Sequence, residues 1–408
     1  MDPLLAVAAL SARMLAEVAR GSGFRTVALD LFGDRDTRRA AEAWFPIGET
    51  ARLVIDCEAL TDALRRSREA GAEAWVAGSG FDGCPELLAA GAEVLPLAGN
   101  TAEVVARVRN PALFFGRLAA LGIPHPETRC DCPPSPLGWL RKNAASSGGW
   151  DVQIARVEKA GVGFPAGGDT SGPAPGRASR IYYQRIAPGV AMSALFLADG
   201  RRSRLLGVNR QTVRPFGDRP FIFRGCIGPI GVAPAVQRTL GAMLDALTAD
   251  FGLRGLNGLD FLLNGDEIRV IELNPRPPAS VALYGKALPE GLLRAHVEAS
   301  LYGRLDGIAP AAGSARPRGF ETVFAKREWE IDAWASDALL QRTWCHDVPV
   351  AGTRIARGEP LCTVSAVGDN PAEVEAQLRR RRQQIPFVME QFDERSSEGA
   401  CERAHECQ

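Results

Sequence analysis

Asp260, Glu272 and Asn274 flank a turn in the segment LDFLLNGDEIRVIELNPRPPAS, residues 259–280. A strand points successive side chains to opposite faces, so Glu272 and Asn274 share one face while Ile271 and Leu273 point into a core. A hairpin centred on Asp266 sets Asp260 opposite Glu272. A tight Asn264-Gly265 turn would instead pair Asp260 with Arg269 and put Glu272 on the wrong face, so the spacing is read as a longer loop. Two carboxylates and an amide oxygen suit Mg²⁺, or the similar Mn²⁺, which takes oxygen ligands and shares its shell with water and substrate phosphates. The competing reading is a solvated acidic hairpin, since the chain carries 48 Asp and Glu.

A second group has the chemistry of a phosphate grip. Lys142 supplies a cation, and the following stretch Ser146-Ser147-Gly148-Gly149 supplies backbone N–H groups that can bend close to oxygen atoms. Alone, a lysine beside a Gly-Ser loop is an ordinary solvated turn. Joined to the oxygen set it gains meaning, because a metal clamp and a phosphate grip serve phosphoryl chemistry together. Arg276, two residues past Asn274, is placed to hold a carboxylate or a transferring phosphoryl group. Arg210 is a second anion contact, with a solvated strand residue as its alternative. The loop GSGFDG at 78–83 reads either as a ligand contact or as a turn opening the helix at Pro85. No GxGxxG follows the first strand, which disfavours a nicotinamide site, although Asp30 stands where a ribose contact would fall. The four histidines, His125, His296, His346 and His405, show no paired base or nucleophile and are read as structural or surface.

These residues need positioning elements. Strands are expected over residues 4–9, 26–32, 73–77 and 93–97, alternating with helices over 12–20, 61–70 and 85–90, the last ending at Gly91. Such a rhythm builds a parallel sheet whose ligands sit at the carboxyl ends of strands, here 11–13, 30–34 and 78–83. Further strands are expected over 138–142, 181–184 and 192–197. Residues 159–180, dense in Gly, Pro and Ser, are read as mobile. An amphipathic helix spans 234–252 and stops at Gly252. Beyond it come a strand over 319–325, a hairpin over 351–363 and a helix over 371–382. The polar stretch 391–408 is read as disordered.

The oxygen set with its arginine, Asp260, Glu272, Asn274 and Arg276, resembles the magnesium end of the ATP-grasp superfamily: an acidic residue followed by Glu-x-Asn-x-Arg. The phrase LAALGIPHPET (118–128) resembles the helix-to-strand entry of such domains, and IELNPRPPAS resembles uncharacterised carboxylate–amine ligases related to the carboxylase subfamily. The likeness covers roughly residues 1–300, with a further similarity to biotin-carboxylase-like ligases at the C-terminus. It implies a mixed α/β and α+β fold: a Rossmann-like parallel-sheet domain over 1–100, an ATP-grasp domain over 101–310 with 138–225 as the nucleotide-covering lobe, and a small β-rich carboxylase-like module over 314–391. It implies ATP with Mg²⁺ as cofactors, and Lys142, Ser147, Gly148 and Gly149 on the phosphates. Gln184, Arg185 and Ile186 would form the adenine hinge, with an ordinary edge strand as the alternative reading. Small-molecule carboxylate and amine substrates follow, joined through an acyl phosphate, with Arg276, Lys142 and Arg210 assisting. The likeness also points to cofactor biosynthesis linked to one-carbon metabolism, and to a homodimer. Two departures stand out. The family's early nucleotide lysine falls near Arg109–Pro111, where only Arg109 can substitute, and Val190-Ala191-Met192 occupies the place of the acidic ribose contact. They motivate one alternative, a nucleotide-binding protein without turnover; a second, a bicarbonate-using carboxylase-type enzyme, stands beside the ligase reading independently of them.

Composition bounds these readings. At 408 residues two or three domains are expected. With 48 basic and 48 acidic residues there is no broad electrostatic drive towards nucleic acid or anionic membrane. The run RRRR at 379–382 is read as a solvated helix face. No long uninterrupted apolar stretch suggests a membrane span, and the apolar start is read as a buried strand rather than a signal peptide. Nine cysteines without a CxxC pair are read as reduced thiols of a cytoplasmic protein.

Overall fold

The computed structural model describes residues 2–156, 180–285, 288–305 and 316–405. The chain opens with β1 (Leu4–Ala8), α1 (Arg13–Gly21), β2 (Arg25–Asp30), α2 (Arg35–Ala40) and β3 (Ala43–Pro46). A small ribbon of β4 (Gly48–Glu49) and β5 (Val54–Ile55) leads to α3 (Cys57–Glu69), β6 (Ala72–Ala77) and α4 (Pro85–Val94). The parallel sheet runs β3-β2-β1-β6. Its central strand, LLAVA, is buried throughout, as expected of a strand covered on both faces.

The helix expected to stop at Gly91 instead runs to Val94, and the strand expected over 93–97 shrinks to one parallel bridge between Trp75 and Leu97. Gly91 is a packing residue here: a Cβ on it would come within 2.5 Å of the buried Trp75 ring. A glycine with that role costs some helix propensity without ending the helix.

Two helices, α5 (Ala102–Val108) and α6 (Pro111–Ala120), lead into a four-stranded lobe. It comprises β7 (Thr128–Arg129), β8 (Trp139–Asn143), β9 (Gln153–Ile154) and β10 (Ile181–Arg185), in the order β7-β10-β8-β9. The stretch expected to be mobile, 159–180, lies outside the described residues except for its last residue.

The body of the molecule is an eight-stranded sheet. Its first members are β11 (Val190–Asp199), β12 (Ser203–Phe216), β13 (Arg219–Gly228), β14 (Arg254–Asn264) and β15 (Glu267–Asn274), with α7 (Pro234–Phe251) between β13 and β14. Strand alternation is plain in β11. Leu195 and Leu197 enter a core shared with α1, whereas Ala194, Phe196 and Ala198 enter the core under α7. Helix α7 ends as expected, with Gly252 left-handed at φ 74° and its N–H bonded to Thr248 O. Then α8 (Leu292–Tyr302) packs beside α1.

The C-terminal segment comprises β16 (Arg318–Phe324), β17 (Trp329–Glu330), α9 (Ala333–Leu340), β18 (Cys345–His346), β19 (Arg354–Ile355), β20 (Pro360–Val367) and α10 (Pro371–His405). Its strands continue the large sheet, which runs β15-β14-β11-β12-β13-β16-β20-β18. The hairpin expected over 351–363 does not form. Strand β19 pairs with β17, while β20 pairs with β16 and β18. The described part of the expected disordered tail, 391–405, continues α10. Earlier in that helix Val374, Leu378, Ile385, Val388 and Met389 are buried in one core with Val364 and Ala366 of β20. Among the described residues no helix is long and apolar enough to cross a membrane.

Candidate active site

The β14–β15 hairpin pairs Asp260 with Glu272, the register the oxygen set needs. It reaches that register by a different route from the longer loop expected. Asn264 pairs with Glu267 across a two-residue Gly265-Asp266 turn, with Gly265 at φ 60°. Glycine at the first central position suits a type II′ turn. A register shift between Asp260 and Phe261, leaving Ile271 without an opposite residue, then restores the pairing. The bulge has a second effect: Ile271 is half-buried and lines the cavity beside Glu272, instead of pointing into a core as alternation suggested.

Asp260 accepts from Gln211 Nε2 at 3.0 Å and from Asn274 Nδ2 at 3.2 Å. Burial, followed by the facing Glu272 charge, pushes its carboxyl up to about 7. Arg276 forms an ion pair with Asp82 at 2.8 Å and turns Nη2 towards Asn274 Oδ1 at 3.5 Å. Burial would raise Asp82, but Arg276 and Arg109 hold it below the usual carboxylate range. The loop GSGFDG therefore serves the site through Asp82, a role that only its neighbourhood in sequence hinted at.

Across a cavity of about 1010 Å³ lie the residues of the other lobe. Lys142, Ser147, Gly148, Gly149, Gln184, Arg185 and Ile186 line it together with Asp260, Glu272, Asn274 and Arg276. Gly148 and Gly149 both hold positive φ, 68° and 81°. The loop is docked on β13: Phe223 N–H donates to Gly148 O at 3.0 Å, and a Cβ on Gly149 would lie 1.8 Å from Phe221 O. Trp150 at the loop's end packs edge-on against Phe216 and Phe324. Among the described residues, the N–H groups of Ser147, Gly148 and Gly149 have no acceptor. Such a run of free amides is what an anion-binding concavity requires.

Several expected roles change. Arg210 is not brought to the cavity. Gln211 turns inward to Asp260, so its neighbour Arg210 points through the other face of β12 and pairs with Glu375 of α10 at 2.8 Å. Gln184 is buried, accepts from Lys142 Nζ at 3.0 Å and donates to Thr128 Oγ1 at 3.3 Å. In the hinge expected over Arg185–Ala187, two N–H groups are taken, Arg185 by Glu127 O and Ile186 by Gly138 O. Arg109 spends its donors on Ala144 O, Ser146 O and Glu272, all groups of the protein itself. Asp30, the ribose position, is a buried structural acid that accepts from Ala12, Gly33 and Phe32 N–H and from Trp44 Nε1.

The cavity's remaining wall joins the two ends of the chain. Arg13 of α1 bonds Glu17 and Asp347, both at 2.7 Å. The buried Asp36 accepts from the N–H groups of Asp347 and Val348. His346 accompanies them: its ring and the Glu17 and Asp36 carboxylates bring potential ligand atoms within 4.8 Å of one another. Burial, then Arg13, lowers His346 to about 4. The segment 11–13 was expected at a ligand-bearing strand end and does line the cavity, but its meeting with residues 346–347 was not foreseen, because no local pattern links residues so far apart. His296 is structural as read, with Nδ1 on Leu256 N–H at 2.8 Å and Nε2 on Ala98 O at 2.9 Å.

Geometry of this kind, a two-lobed cleft with a glycine flap facing an acid–acid–amide set, defines an ATP-grasp architecture, and comparison with known proteins agrees. Residues 111–280 match the ATP-grasp domain family. The carbamoyl phosphate synthase large chain of Thermoplasma volcanium is 23% identical over 236 residues, which is 52% of this chain and 20% of that protein. The chain thus spans about a fifth of the length of that curated relative. Pyruvate carboxylase from Rhizobium etli superposes with a TM-score of 0.67 at 16% identity, over 93% of this chain and 37% of the other. L-amino acid ligase from Bacillus licheniformis gives 0.64 at 14% identity, over 93% and 96%. At such identities the structural likeness speaks for the fold.

Proposed function

We propose that the protein is an ATP- and Mg²⁺-dependent ligase that activates a small-molecule carboxylate as an acyl phosphate for attack by an amine. One observation carries the reading: a hairpin register that sets Asp260 against Glu272, with Asn274 and Arg276 beside them, faces Lys142 and the glycine flap across a single cavity. The donor set fits a hard divalent cation, since it is all oxygen and Asp260 and Glu272 face each other closely enough for each charge to oppose the other. Asp260, Glu272 and Asn274 would hold Mg²⁺, or Mn²⁺ in its place. Bound there, the metal would neutralise phosphate charge.

The chain's own groups do the rest. Free N–H groups of Ser147, Gly148 and Gly149 receive phosphate oxygens, and Lys142 adds a cation at the flap's edge. Gln184 fixes Lys142 rather than reading the base. Arg185 and Ile186 shape the adenine end, where the Ala187 backbone remains to address the base edge. Arg276, held by Asp82, steadies charge on the transferring group. Catalysis is positioning and charge neutralisation. Arg210 is omitted because it faces α10. The likeness to an L-amino acid ligase favours amide formation.

A second reading, carboxylation with bicarbonate, is favoured by the likeness to pyruvate carboxylase, which spans nearly the whole chain. The sequence contains no biotinyl Met-Lys-Met signal, so the carrier would lie outside residues 1–408. ADP release and product mass with a panel of acids and amines, set beside bicarbonate plus biotin, separate the two. Metal-dependent ATP binding without ADP formation on any panel would point to a binding protein instead.

A further inference from the structure

The buried guanidinium of Arg109 divides its donors between two elements that face each other across the cleft. Nε and Nη2 reach Ala144 O at 3.0 and 2.6 Å, Nη2 also reaches Ser146 O at 2.8 Å, and Nη1 forms an ion pair with Glu272. Ala144 and Ser146 are the base of the glycine flap, whose far end is docked on β13 and on the Trp150 aromatic cluster. Glu272 belongs to the oxygen set. One side chain thus holds the flap by its backbone and the carboxylate by its charge.

Resting on the metal site proposed above, we propose that Arg109 is a positioning residue. It serves as counter-ion to Glu272 in the metal-free protein and clamps the flap base through the same planar group, so that metal occupancy and flap position are coupled. A divalent cation arriving at Asp260 and Glu272 meets a guanidinium already seated on Glu272. The two positive charges repel, and the guanidinium, whose side chain is 9% exposed, has little solvent of its own to screen it. Metal binding therefore loosens the hold of Arg109 on Glu272, and a held flap in turn opposes metal. The fork geometry matters, since an ammonium cannot serve two carbonyls and a carboxylate from one plane.

Two measurements on the full chain decide this, with Mn²⁺ as probe at saturating ADP. Mn²⁺ affinity is read by electron paramagnetic resonance, and flap release by the rate of chymotryptic cleavage at Trp150. In R109M, Mn²⁺ should bind about fivefold tighter or more, the lower end of usual coupling, and metal-free cleavage should accelerate. In R109K the charge stays and the fork is lost. Mn²⁺ affinity should then hold within about twofold while cleavage accelerates. A merely structural role would not tighten metal binding. Weaker Mn²⁺ binding in R109M, or weaker ADP binding with Mn²⁺ unchanged, overturns the proposal, the latter in favour of a direct nucleotide contact. Should R109M fail to fold, unchanged cleavage in R109K overturns it alone. E272Q keeps the two ideas apart. If it leaves Mn²⁺ binding intact, the metal site is misplaced. If it abolishes binding while R109M changes nothing, only the role of Arg109 falls.

Discussion

At the scale of single residues, Glu272 and Arg210 make opposite predictions. Glu272→Gln keeps the size and the turn but removes a charge that the site uses. ADP release should fall by about 100-fold or more, and Tm should fall as well, since the buried Arg109 loses its counter-ion. Arg210→Ala breaks an ion pair that is about two-fifths exposed on both sides. Steady-state turnover should stay within about twofold and stability within about 1 kcal/mol. A large loss of activity in the arginine variant would return it to the site. The acid, the amide and Arg276 were legible because they lie in one short segment and strand periodicity groups them. Gln211 was not, since its meeting with Asp260 depends on β11 lying between their two strands, a fact that no local pattern contains.

Elements carry the next set of expectations. The flap glycine at 149 has no room for a side chain against Phe221 O. Gly149→Ala should undock the flap and raise KM for ATP by about tenfold, with little change in Tm, since the loop is peripheral to the cores. Unchanged KM would show that docking is unimportant. A second expectation concerns α8, which meets β14 at Leu256 and the backbone at Ala98 through His296. Burial lowers that imidazole to about 4. A group held below its ordinary value resists protonation in the folded state, while the unfolded chain takes the proton below about pH 6.5. Stability should therefore decline as pH falls from about 6.5 towards 4. His346 adds a slope of the same sign, so urea melts of H296Q should keep only part of it. In the first hundred residues β1, β2, β6, α1, α3 and the start of α4 were readable from periodicity, whereas α2 and the edge strand β3 were not expected and the strand over 93–97 is a single bridge. The length of α4 and the bulge at Ile271 were not readable, because each is settled by a partner: the Trp75 ring in one case, the neighbouring strand in the other.

For the whole molecule, the C-terminal strands matter more than a separate module would. Pairing of β13 with β16 makes them part of the sheet that floors the cavity, and α10 buries an apolar stripe against them. A chain ending before residue 314 would expose the β13 edge and the cores beneath it. Such a truncation should aggregate rather than fold as a stable nucleotide-binding unit, as size-exclusion chromatography would reveal. A monodisperse, ATP-binding fragment would refute this. The presence of β16 and the start of α10 could be read from sequence, but not β20 in its place or the addition of these strands to the central sheet, because edge-to-edge pairing leaves no periodic trace.

The clasp between Asp36 and the Asp347–Val348 amides bears on how the protein is made. A ribosome releases the first domain early and the closing wall of the cleft last. Until residues 346–367 emerge, the nascent chain has no complete pocket, so a molecule that fits that cavity cannot template folding of the earlier segments. Those segments must hold their own shape, or borrow a chaperone, while they wait for the final strand to be synthesised.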